Sequence, residues 1–122
     1  MKKSRKLKKN YEFSFVFKNG KYFKGNFIEC FYTKINKKEY NLLGIAISSK
    51  LCNAVKRNKI KRIITAAYTK IENSIESGNT FVFLWRKNIE IEECSFNNVY
   101  NDMIEMFEKL GILNEKDFNI YN

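Results

Sequence analysis

The sequence has no histidine and no proline. Without histidine, the commonest general base and the commonest activator of a nucleophile are both missing. Three cysteines, Cys30, Cys52 and Cys94, are odd in number and far apart, and no pair has the spacing of a zinc site. They read as small buried apolar side chains in a reducing compartment. No apolar run approaches the length that spans a bilayer. The charged start MKKSRKLKK is followed by no apolar stretch of signal-peptide length. A cytoplasmic protein with no membrane partner and no small-molecule substrate is expected.

Acidic residues are scarce in one half only. Residues 1–62 hold 18 Lys or Arg against 3 Asp or Glu, whereas residues 63–122 hold 5 against 10, for a total of +10. Solubility alone gives no reason to segregate charge in this way. A one-sided basic region is the footprint of a polyanion. A lysine-rich proteome with an ordinary solvated face is the bland alternative, and 19 Lys against 4 Arg fit that bias.

What is present suffices for a fold. The 122 residues correspond to a single domain, 1–122, and a chain of this size buries roughly two thirds of its unfolded surface. Residues 1–9 form a basic arm. Asn10 is placed to cap a short helix running to about Phe17, with Phe13, Val16 and Phe17 on one face and Gly20 ending it as a left-handed residue. Tyr22-Phe23 suggests a short strand. FIECFYT, residues 27–33, alternates as a strand, with Phe27, Glu29, Phe31 and Thr33 on one side. LLGIAIS, residues 42–48, reads as a buried strand, and Gly44 inside it signals a bulge or close backbone approach. Asn53 caps a helix to about Ser74, striped by Ile60, Ile63, Ile64, Ala67 and Ile71. TFVFLW, residues 80–85, is apolar on both faces, as a central strand is. A last helix follows Ser95 and stops at Gly111. Residues 112–122 form a tail of no evident role. The order helix, three strands, helix, strand, helix predicts an α+β fold, a two-layer α/β sandwich.

The densest feature is NAVKRNKIKRIITAAY, residues 53–68. It sets Lys56, Arg57, Lys59, Lys61 and Arg62 in the first half of one helix. At 100° per residue, Asn58, Lys59, Lys61, Arg62 and Thr65 lie opposite the isoleucines, with Arg57 at the edge. Arg offers a planar fork to phosphate and Lys a mobile point charge. Asn58 has poor helix propensity and no charge. It makes sense if it reads a base edge, a 2′-OH or a phosphate oxygen.

R-N-K-I-K-R, preceded by N-A-V-K and followed by an apolar helix, resembles the bacterial ribonuclease P protein family, which carries R-N-R-x-K-R on its second helix. LKKNYEFSFVFKNG, LGIAISSK and TFVFLWRK resemble further segments of that family, so the likeness spans roughly residues 5–110. Lys59 stands where Arg is common, Ser49 where a second Lys is frequent, Cys52 where Gly is usual and Thr65 where Arg is often seen. These departures imply fewer or weaker RNA contacts.

The resemblance implies a left-handed βαβ crossover in a ribosomal protein S5 domain 2-like fold. It also implies an accessory subunit of an RNA-based endoribonuclease, in which the RNA carries the catalysis and no protein residue is catalytic. The implied partners are ribonuclease P RNA, the catalytic RNA, and precursor tRNA, whose 5′ leader is removed. The implied metal is Mg²⁺, held mainly by the RNA. By position, the catalytic-RNA surface is Lys56, Arg57, Asn58, Lys59, Lys61 and Arg62. The leader-binding cleft is Phe13, Phe17 and Phe31, with Lys50 and Thr65 at its edge. Tyr11 and Phe15 remain alternatives for that cleft. Phe13 and Phe17 at helical spacing also fit a plain core role.

Three other readings compete. A ribosomal or RNA-chaperone protein with no nuclease partner would also carry a basic helix, but the first-helix phenylalanines favour the ribonuclease P likeness. A protein-only nuclease would need an acidic or histidine cluster that the sequence does not assemble. A membrane-surface helix would need Trp or Phe on the apolar side of residues 53–68.

Overall fold

The computed structural model describes residues 4–34 and 39–114. Its elements, in chain order, are β1 (Ser4–Lys6), α1 (Asn10–Asn19), β2 (Lys21–Lys24), β3 (Ile28–Thr33), β4 (Asn41–Ile45), α2 (Ala54–Ile71), β5 (Thr80–Trp85) and α3 (Phe96–Leu110). Short 3₁₀ turns occupy Glu72–Ser74 and Ile91–Glu93. The strands form one sheet in the order β1-β4-β5-β3-β2. β4 runs parallel to β5, with α2 as the crossover between them.

Alternation along the strands assigns the two faces. Ile28, Cys30, Tyr32, Leu43, Phe81 and Phe83 are buried together with Ile60, Ile64 and Ile71 of α2 and with Val99, Met103 and Phe107 of α3. Sheet and two helices thus make the expected two layers. On the opposite face, Val16 of α1 packs with Val82 and Leu7, flanked by Phe13, Phe31, Leu42 and Leu84. β5 lies mid-sheet, which is why TFVFLW is apolar on both sides. Among the described residues, no helix is long and apolar enough to cross a membrane.

The α+β fold is as expected, with local corrections. The basic arm contributes a strand: Ser4–Lys6 pairs parallel with Asn41–Leu43, and the Leu7 N–H continues the ladder to the Leu43 carbonyl at 2.9 Å. Ser4 Oγ lies 2.6 Å from the hydroxyl of the fully buried Tyr68, tying the arm to α2. Lys2 and Lys3 of the arm lie outside the described residues. α1 starts at Asn10 rather than after it. The Glu12 side chain accepts from the Lys9 N–H at 3.0 Å, tying the first turn back to the residue before it. Gly20 has φ −79°, not a left-handed value. Its glycine is required by space, because a Cβ there would stand 2.6 Å from the Val16 carbonyl oxygen. Cys30 is buried, but Cys52 and Cys94 are only partly so. Of the expected tail, Ile112 is buried and Leu113 bridges Ile75, while residues 115–122 lie outside the described residues. Asn53, Ser95 and Gly111 cap their helices as expected, Gly111 at φ 70°.

Candidate nucleic-acid interface

The buried Ile60, Ile64, Ala67 and Ile71 fix the rotation of α2 about its axis. Asn58, Lys59, Lys61 and Arg62 are therefore exposed, as the periodicity requires. The Asn53 side chain accepts from the Lys56 N–H at 2.9 Å and starts the helix. Two of the expected contact residues already have partners in the protein. Arg57 is half-buried, and its Nη1 donates to the Cys52 carbonyl at 2.7 Å, bracing the turn into α2. Lys56 Nζ lies 3.9 Å from Glu92 Oε1 at an exposed site, a contact worth little in water. On the flank of α2 facing Cys94, burial pushes the thiol up to about 11, with Lys59 pulling the other way. Cys94 is thus a protonated thiol, not a nucleophile.

The expected cleft residues fall into two groups. Phe13 lies with Lys6, Leu7, Leu43, Ile45, Lys61 and Thr65 around a groove of about 280 Å³. The groove exists because β1 ends at Lys6 and leaves the rest of β4 uncovered at the sheet edge, where α1 and α2 approach from opposite faces. Phe17 and Phe31 form the second group, edge to face at 5.1 Å between ring centroids. Phe17 is 38 % exposed, and Phe31 is half-buried beneath it. Both the core reading and the open reading of these rings are therefore partly met: Val16 takes the buried position, and the phenylalanines flank it. Lys50 lies in the exposed turn after β4, with its N–H on Ser48 Oγ, and joins neither group. Tyr11 and Phe15 point outward from α1, 68 % and 45 % exposed.

Two further residues were missed in the sequence. Tyr22 stands opposite Phe31 across the β2–β3 pair, rings 5.1 Å apart, and donates its hydroxyl to Glu29. That bond, helped by burial, raises the Tyr22 pKa above its ordinary value. Alternation in FIECFYT marked the face of Phe31, but only the hairpin register brings Tyr22 to it. Asp102 is buried in α3 and accepts from the backbone N–H groups of Asn26, Phe27 and Ile28 at 3.0, 2.7 and 3.0 Å, pinning the β2–β3 turn. Nothing local marked it, because its partners lie more than seventy residues away.

The profile of the family described as Ribonuclease P matches residues 1–111. The chain belongs to the ribonuclease P protein family. A ribonuclease P protein component of Bacillus cereus strain 03BB102 is 34 % identical over 112 residues, covering 92 % of this chain and 96 % of the relative. The ribonuclease P protein from Thermotoga maritima superposes with a TM-score of 0.76 at 25 % identity, over 86 % of this chain and 96 % of that one. That from Staphylococcus aureus does so at 0.75 and 24 % identity, over 89 % and 97 %, a likeness of fold. As a member of this family, the chain is a protein subunit of ribonuclease P, an RNA-binding protein of tRNA 5′ processing and part of a nuclease complex. The family sets aside the ribosomal and chaperone readings. Among the described residues, no group of three or more His, Cys, Asp or Glu side chains could hold a metal ion. The described residues offer no donor set that fits Mg²⁺.

Proposed function

We propose that this ribonuclease P protein divides its surface between two RNAs, while the chemistry of leader removal stays with the RNA subunit and its Mg²⁺. The exposed face of α2, with Asn58, Lys59, Lys61 and Arg62, binds the catalytic RNA, Lys61 standing where that face borders the leader groove. The rings beside α1 bind the single-stranded 5′ leader of precursor tRNA. The observation that carries this reading is the groove at the β4 edge, where Phe13 from α1 and Lys61 and Thr65 from α2 line one space. An aromatic ring and a cation within one groove suit unpaired nucleotides: bases stack on the ring in any sequence, and the cation follows the backbone. Phe17 and Phe31 continue the aromatic surface across the same face of the sheet. Arg57 contributes to shape and field more than to direct contact, because its guanidinium is held by the Cys52 carbonyl, whereas Lys56, in only a weak exposed pair with Glu92, stays available to RNA. The protein acts in the cytoplasm.

The consequence is a preference for substrate over product, since mature tRNA has no leader to place on the rings. Affinities of the holoenzyme for precursor and mature tRNA, with Phe13→Ala and Phe17→Ala, test this. Each variant is expected to lose about 1–3 kcal/mol for precursor only. Equal losses for both RNAs, with a lowered melting temperature and a loss of about 3–5 kcal/mol of folding stability, would assign the rings to the core instead. Cleavage of precursor tRNA by the RNA at low Mg²⁺, with and without the protein, checks the accessory role.

A further inference from the structure

The open face of the β2–β3 hairpin carries more than stacking rings. Opposed residues of an antiparallel pair share a face. The register Tyr22↔Phe31 and Lys24↔Glu29 therefore sets two aromatics, a cation and a carboxylate side by side. Phe17 closes one side, edge-on to Phe31. Glu29 is only half-buried, and Tyr22 is 48 % exposed. Arg86 is near enough to act electrostatically on Tyr22, while its Nη1 donates to the Gly25 carbonyl at the hairpin turn. A lone carboxylate on a surface meant for a polyanion is unfavourable unless it has a task. Here the Tyr22 hydroxyl holds it in place beside the rings.

We propose that Tyr22 and Glu29 form a base-reading position within the leader surface, selecting a nucleotide whose base carries an exocyclic amine, with guanine best and uracil worst. This inference rests on the leader-binding reading given above. A carboxylate only accepts hydrogen bonds, and with two oxygens it retains acceptor capacity after Tyr22 has taken one site. Unpaired RNA bases are read on their Watson–Crick edges. Guanine offers N1–H and N2–H side by side, matching the two oxygens. Adenine and cytosine offer one amine donor. Uracil sets two carbonyl oxygens around its single N–H and meets the carboxylate with like partial charge. A base lying against the half-exposed Tyr22 ring comes next to the carboxylate that the Tyr22 hydroxyl holds. The exposed Lys24 supplies a cation for the adjoining phosphate, and Glu29 repels that phosphate, so base edge and backbone are kept apart.

The test uses holoenzyme reconstituted with its cognate RNA and precursor tRNAs with all-uridine leaders, each position in turn changed to guanosine. At one position, guanosine is expected to tighten binding by roughly fivefold or more over uridine. Glu29→Gln, whose amide both donates and accepts, is expected to bring the two within about twofold at that position. Tyr22→Phe keeps the ring, frees the carboxylate and is expected to shrink the preference as well. Melting temperatures of both variants report whether the fold is intact. A preference that survives Glu29→Gln, or no preference at any position while precursor still binds more tightly than mature tRNA, overturns this inference and leaves the leader-binding reading standing. If precursor and mature tRNA bind equally, both fall.

Discussion

The Phe13 ring lies directly over Gly44: a Cβ on that glycine would stand 2.7 Å from Phe13 Cε1 and 2.9 Å from Leu7 Cδ1. The glycine in β4 is thus the floor on which the α1 ring rests, and it sets the depth of the groove between α1 and α2. Gly44→Ala is expected to push Phe13 and Leu7 outward. Leader-dependent affinity should then fall with little effect on mature tRNA, read by comparing the two dissociation constants. Unchanged discrimination would show that the position of Phe13 does not matter.

The two arginines of the motif should behave differently. Arg62 is exposed, so Arg62→Ala is expected to weaken binding to the catalytic RNA by about 1.5–3 kcal/mol without lowering the melting temperature. Arg57 holds the Cys52 carbonyl, so Arg57→Ala should lower stability as well. Filter binding and thermal melting on both variants check this, and wild-type affinity for Arg62→Ala would remove it from the interface.

Affinity for RNA should fall steeply with salt, the log–log slope being roughly 0.7 to 0.9 per phosphate neutralised. Deleting residues 1–6 would confound the measurement, because it removes β1 and the Ser4–Tyr68 contact. Lys8 and Lys9 are exposed and outside the strand. The double change Lys8→Gln, Lys9→Gln is expected to flatten the slope while the melting temperature holds. A slope that stays the same would place both lysines away from phosphate.

Asp102→Ala removes the acceptor for three backbone N–H groups in the β2–β3 turn. A stability loss on the order of 3 kcal/mol is expected in denaturant unfolding. Hydrogen exchange at Asn26, Phe27 and Ile28 should quicken first. Gly25 is part of the same arrangement, since a Cβ there would stand 2.6 Å from Asp102 Oδ2.

Stability should decline on the alkaline side. Burial raises Cys94 from 9.0 to about 11 and Tyr68 from 10.0 to about 12, and raises Cys30 further still. The folded state therefore keeps protons that the unfolded chain gives up first. The associated stability is complete below pH 9 and is lost as pH rises from there through 11. Melting temperatures between pH 7 and 11 measure this, and Cys94→Ala is expected to lessen the drop. A flat profile would contradict the burial of these groups.

Much of α2 was legible beforehand because its determinants are local. The isoleucine stripe, the Asn53 cap and the cation face all repeat within one or two turns of the same helix. The same holds for α3, with its Ser95 and Gly111 ends. β5 was legible from apolarity on both faces. Gly20 misled, because a glycine before a strand fits either a left-handed cap or a close approach, and only the packed Val16 carbonyl distinguishes them.

By itself, the sequence determined the polyanion-facing charge, the helix that carries it and the family likeness of its motif. Each depends on residues a few positions apart. The tertiary structure decided what lies between distant segments. It turned part of the basic arm into an edge strand, split the cleft phenylalanines between two neighbourhoods, and brought Tyr22 to Glu29 and Asp102 to the hairpin turn. The reason is physical. Helical periodicity and capping operate within a turn of chain, whereas strand register and side-chain-to-backbone bonds across layers follow from how the whole chain closes on its core.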